Sequence, residues 1–116
     1  MVWFDRVLSI LLILGGVGHT LGSIKFYRHD PLTMLWALCA SLFVFLFGAM
    51  SLLRASRPGD APLAWICLAS GLCWILAALR FGYLIGNLLD PRALIFALIT
   101  LGMCAFSVRS IVLAKR

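Results

Sequence analysis

Apolar residues along this chain fall into four long runs, at about residues 3–23, 32–53, 62–83 and 92–112. A helix needs about 20 predominantly apolar residues to cross the hydrocarbon core of a bilayer. Each run therefore predicts one spanning helix. The breaks are short and polar, reading IKFYRHDP, RASRPGDAP and GNLLDPR. The second, third and fourth runs each open on an aspartate just ahead of a proline: Asp30-Pro31, Asp60-Ala61-Pro62 and Asp90-Pro91. A carboxylate there accepts from the free N–H groups of the first turn and suits the positive end of the helix dipole. Proline at the first helical position gives up an N–H that has no partner anyway. Three of the four acids thus read as caps. The expected fold is an all-α integral membrane protein, an antiparallel four-helix transmembrane bundle, with residues 1–116 forming a single transmembrane domain.

Composition agrees. Of 116 residues, 64% are hydrophobic and only 12% charged, and the mean hydropathy is +1.10. So short a soluble chain has no core large enough to hide that much apolar surface. The charge is +6, from 10 Lys and Arg against four Asp and no Glu. These cations lie mostly in turns and at run ends, where lipid head groups are their partners and nucleic acid is not. Arg6, Arg54, Arg57, Arg109, Lys115 and Arg116 fall on one side, against Lys25, Arg28, Arg80 and Arg92 on the other. The excess of positive charge expected inside then puts both termini of this multi-pass protein in the cytoplasm. The first run starts on Asp5-Arg6 and ends without a small-residue cleavage site, so it is expected to stay as a helix.

Small and polar residues recur with a period near 3.5. The stripes are Asp5, Ser9, Leu12, Gly16, His19 and Ser23 in the first run, then Thr33, Ala37, Ala40, Val44, Gly48 and Ser51 in the second. The third gives Ile66, Ala69, Cys73, Ala77, Arg80 and Asn87, and the fourth Ala93, Ala97, Thr100, Cys104 and Ser107. In lipid, helices associate through close packing of small residues and hydrogen bonds, not by hiding leucine. The stripes are therefore expected to face one another, with Phe43, Phe45, Phe47, Trp36, Trp65 and Trp74 mostly off them.

His19 stands out within GGVGHTLGS, surrounded by residues without bulk. Ionisable groups inside spans are costly and often functional. Arg80 is expected at a similar depth on the third stripe, with Tyr83, Asn87 and Thr33 near the same mouth. The candidate ligand site is therefore His19, Arg80, Tyr83, Asn87 and Thr33, suited to a lipid head group, a quinone-like ring or a small anion. The competing reading is that His19 bonds a neighbouring carbonyl and Arg80 snorkels to the interface.

Other chemistry is argued against. A bis-histidine haem needs two histidines at matching depth, and His29 lies in a turn. Cys39, Cys67, Cys73 and Cys104 are scattered through apolar runs without a CxxC pair, so neither a metal site nor a disulfide framework is expected. No paired carboxylates or phosphate loop is present, and no catalytic residue or cofactor is assigned. The size and span count are similar to those of the small multidrug resistance transporters, but the glutamate those carry in the first helix is missing. The element Gly18-His19-Thr20-Leu21-Gly22, with the length and the Asp-Pro turns, more closely resembles small uncharacterised bacterial four-span membrane proteins. That resemblance implies the topology and a place in the bacterial inner membrane, and no activity. The leading expectation is a structural or accessory membrane protein, packing with itself as a homo-oligomer or with a larger membrane complex. The alternative is a ligand-binding or transport protein with its site at the non-cytoplasmic mouth, and a membrane enzyme ranks third.

Overall fold

The computed structural model describes residues 1–116 and contains four helices: α1 (Val2–Phe26), α2 (Pro31–Ser56), α3 (Ala61–Leu84) and α4 (Pro91–Ala114). At 1.5 Å per residue, 24 to 26 residues make about 36–39 Å, enough to cross the hydrocarbon core. The caps form as expected. Asp30, Asp60 and Asp90 accept from the N–H groups of Thr33, Leu63 and Arg92 at 3.1, 3.1 and 3.0 Å. The hydroxyl of Thr33 also donates to Asp30 and holds its carboxyl below the usual carboxylate range. The guanidinium of Arg92 does the same for Asp90.

α1 packs along α2, and α3 along α4. The two hairpins meet through α1 with α4 and α2 with α3, α2 also touches α4, and α1 and α3 stand apart. Contacts descend one helix as they climb the next: Gly48 faces Ser9 and Ile13, while Gly16 faces Val44 and Phe45. The helices are antiparallel, with the start of α1 and the end of α4 at one end of the bundle, called here the termini end. The α1–α2 and α3–α4 turns lie at the other, the double-turn end.

The stripes on α1 and α4 are the buried faces. Asp5, Ser9, Leu12, Gly16 and Ser23 are buried on α1, and Ala93, Thr100, Cys104 and Ser107 on α4. On α2 the stripe holds from Val44 through Gly48 to Ser51, but Thr33 is exposed. On α3 the expectation is wrong. Ile66, Ala69, Cys73, Ala77 and Arg80 are exposed, and Ala64, Cys67, Gly71, Ala78 and Gly82 are buried. The reason is that both faces of α3 carry small residues, so smallness does not choose between them. Close approach does. A Cβ on Gly71 would lie 2.5 Å from the Cys104 sulfur and 3.2 Å from the Phe47 ring. Phe47, expected toward lipid, is instead 1% exposed and fills the space over Gly71 in a core with Leu12, Val44, Cys67 and Met103. Trp36 and Trp65 face outward as expected.

Candidate functional site

The most polar point of the interior is at the termini end, and it is not the predicted one. Arg54 has 0% exposure. Its guanidinium pairs with the Asp5 carboxylate on α1 and donates to the Ser107 hydroxyl on α4. It also donates to the Met103 carbonyl at 2.8 Å. One side chain thus ties three helices. Sequence reasoning placed Arg54 among the turn cations, because the apolar run ends at residue 53. A signal was available. The α2 stripe of Val44, Gly48 and Ser51 continues to position 54, and the inward Asp5 requires a cation.

His19 lies in the other half of the bundle. Its Nδ1 is 2.8 Å from the hydroxyl of Ser41 on α2, and its backbone carbonyl accepts from the Ser23 hydroxyl at 2.7 Å. The Ser41 hydroxyl also lies 3.3 Å from the Ala37 carbonyl. When Ser41 donates to Ala37, His19 must donate from Nδ1, and Nε2 is left as an acceptor. When Ser41 turns to donate to Nδ1, Nε2 carries the proton and becomes a donor. In either state Nε2 has no hydrogen-bond partner within the protein, and it is not sealed in the core.

His19 stands on the wall of a cleft of about 590 Å³ between α1, α3 and α4. The cleft follows from the packing, since α1 and α3 do not meet. Gly18 and Gly22 line the α1 side and Trp74 and Phe81 the α3 side, while Gly15 packs directly against the Phe96 ring of α4. A Cβ on Gly18 or Gly22 would meet nothing within 4 Å. Trp74 is braced by stacking on Phe43 and by an edge contact with Phe96. Arg92 stands at the cleft with its guanidinium 5.5 Å from the Phe81 ring centre, bound to Asp90 through Nε and Nη2.

The other four predicted site residues do not join His19. Arg80 is exposed, on the face of α3 that the misassigned stripe occupies, and lies over the Tyr83 ring at 5.1 Å. Tyr83 is 64% exposed. Asn87 shapes the α3–α4 turn, its side-chain oxygen accepting from the Leu89 N–H at 3.1 Å. Thr33 is engaged with Asp30. None of the four lines the cleft, and the cation that does is Arg92. The missed partners, Ser41 and Arg92, carried no distinctive spacing. No family model, no curated protein and no solved structure matches the chain.

Proposed function

We propose that this small membrane protein binds a ligand in the cleft beside His19, in preference to a purely structural or accessory role. The observation that carries this reading is a cavity of ligand size, within the usual range of about 300–1,000 Å³, holding an unpartnered imidazole nitrogen. A chain serving only to pack would close such a cleft, because van der Waals contact drives association in lipid. The accessory reading keeps one observation of its own. The small residues Ala69, Cys73 and Ala77 are exposed on α3, where a second helix could approach closely.

Native mass spectrometry of the full chain after gentle extraction tests the proposal. The wild type is expected to retain a small apolar molecule. Gly18→Leu, whose Cβ would meet nothing within 4 Å and whose side chain takes up cleft space while improving helix propensity, should lose that molecule and stay folded. If neither protein carries an adduct, the ligand-binding reading fails. A co-purifying large subunit in its place would support the accessory role.

The proposed setting is the bacterial inner membrane with both termini cytoplasmic. Reporter fusions after Arg116 and in the Arg57–Asp60 turn should then read cytoplasmic, and fusions in the Tyr27–Asp30 turn should read outside. Opposite readings at all three would invert the orientation.

A further inference from the structure

We infer that the cleft is shaped for a quinone-class lipid, a flat ring bearing carbonyl or hydroxyl oxygens on an apolar tail. This rests on the reading of the cleft as a ligand site.

The walls exclude other occupants in turn. A helix is about 10 Å across even with small side chains, so a 590 Å³ space would hold only about five of its residues. A second copy of this chain therefore cannot seat a span there. A plain acyl chain would fit the space but would leave His19 Nε2 facing hydrocarbon without a partner. An unmade hydrogen bond in such a place costs about 1–3 kcal/mol. The ester oxygens of a phospholipid stay near the interface, whereas His19 lies about 10 Å below the end of α1 at 1.5 Å per residue. A small anion is disfavoured by the apolar walls, since Asp90 already neutralises Arg92.

A tailed ring meets each feature. Its oxygen can reach the imidazole at hydrocarbon depth. Its faces match Trp74, Phe81 and Phe96, and its tail can leave past Gly18 and Gly22, where an added Cβ would meet nothing within 4 Å. The His19–Ser41 pair adds a specific fit. An oxidised ring offers only acceptors and needs Nε2–H. The reduced ring offers hydroxyls that can also donate, and a bare Nε2 accepts from them. The Ser41 hydroxyl can satisfy Nδ1 in either tautomer, accepting from Nδ1–H while it donates to Ala37 or donating to a bare Nδ1, so exchange of the ring proton between Nδ1 and Nε2 serves both ring forms with no change in net charge.

The test uses the full chain in detergent with Trp3, Trp36 and Trp65 changed to Phe, so that Trp74 is the remaining tryptophan. A decyl-substituted benzoquinone, its quinol and oleate are titrated separately while Trp74 fluorescence is followed. Oleate, which does not quench, is read by its displacement of the quinone. Both ring forms should bind saturably. His19→Leu should weaken both about tenfold, the worth of one hydrogen bond, with an unchanged melting temperature. His19→Gln should restore much of the loss for both, because an amide carries a donor and an acceptor. If oleate displaces the quinone at equal concentration, or if His19→Leu binds as tightly as wild type, the cleft takes any apolar chain and the quinone assignment is overturned. The broader ligand-binding reading then still stands on its native mass spectrum. Absence of saturable quenching by either ring form also overturns the assignment.

Discussion

Replacing Arg54 with Met should destabilise the bundle by about 3–5 kcal/mol, the usual cost of stranding one partner of a buried ion pair. The substitution leaves the Asp5 carboxylate in the interior at 5% exposure, with its cation gone. It also removes the donors to Ser107 and the Met103 carbonyl, so three helices lose their shared tie. Asp5→Leu should cost a similar amount, because it leaves Arg54 unpaired. The two changes together should recover much of the loss, since apolar groups of similar volume often replace a buried pair without penalty. Arg54→Lys should fall between, because an ammonium cannot reproduce the planar fork that reaches α1 and α4 at once. Thermal and denaturant unfolding in detergent would measure all four variants. A single Arg54→Met variant as stable as wild type would show that the pair holds nothing together.

The second large effect is expected at Gly71. Gly71→Leu places its Cβ against Cys104 on α4 and Phe47 on α2, both of them buried in the core. Overpacking of this kind typically costs about 1–3 kcal/mol, and the loss should come at the α3–α4 seam that carries the second hairpin. Gly48→Leu should behave alike, because its Cβ would lie 2.5 Å from Ile13. Ala69→Leu and Cys73→Leu, on the exposed face of α3, should leave the melting temperature close to that of wild type. Should the exposed positions prove as sensitive as Gly71, that face is covered by another helix in the working assembly.

The contrast between these positions explains what could be read without coordinates. Spans, caps and the faces of α1 and α4 were legible because hydropathy, Asp-Pro punctuation and a single small-polar stripe agree there. α3 offered two stripes of small residues, and only the steric fit of Gly71 against Cys104 and Phe47 distinguishes them. That fit depends on residues more than 20 positions away in the chain. The same error carried Arg80 to the wrong side, and with it Tyr83 and Asn87. His19 was legible as an inward polar residue on a clear stripe. Its cleft was not, because an opening arises from two helices failing to meet, and local spacing does not encode that. Arg54 was hidden by the convention that a cation ends an apolar run.

The Asp5–Arg54 pair also bears on how the chain enters the membrane. Both residues belong to the first hairpin, α1 and α2, so their charges can cancel as soon as that hairpin inserts. An unpaired arginine within a span is costly to insert, most so at the helix centre, and a nascent α2 without Asp5 ahead of it would carry a buried, unpaired Arg54 in its last turn before any of α4 has been made. The carbonyl of Met103 and the hydroxyl of Ser107 emerge only with the last helix. The buried charge of the bundle is therefore balanced within the first hairpin during biosynthesis, while the second brings only uncharged partners, a carbonyl and a hydroxyl, to a guanidinium already in place.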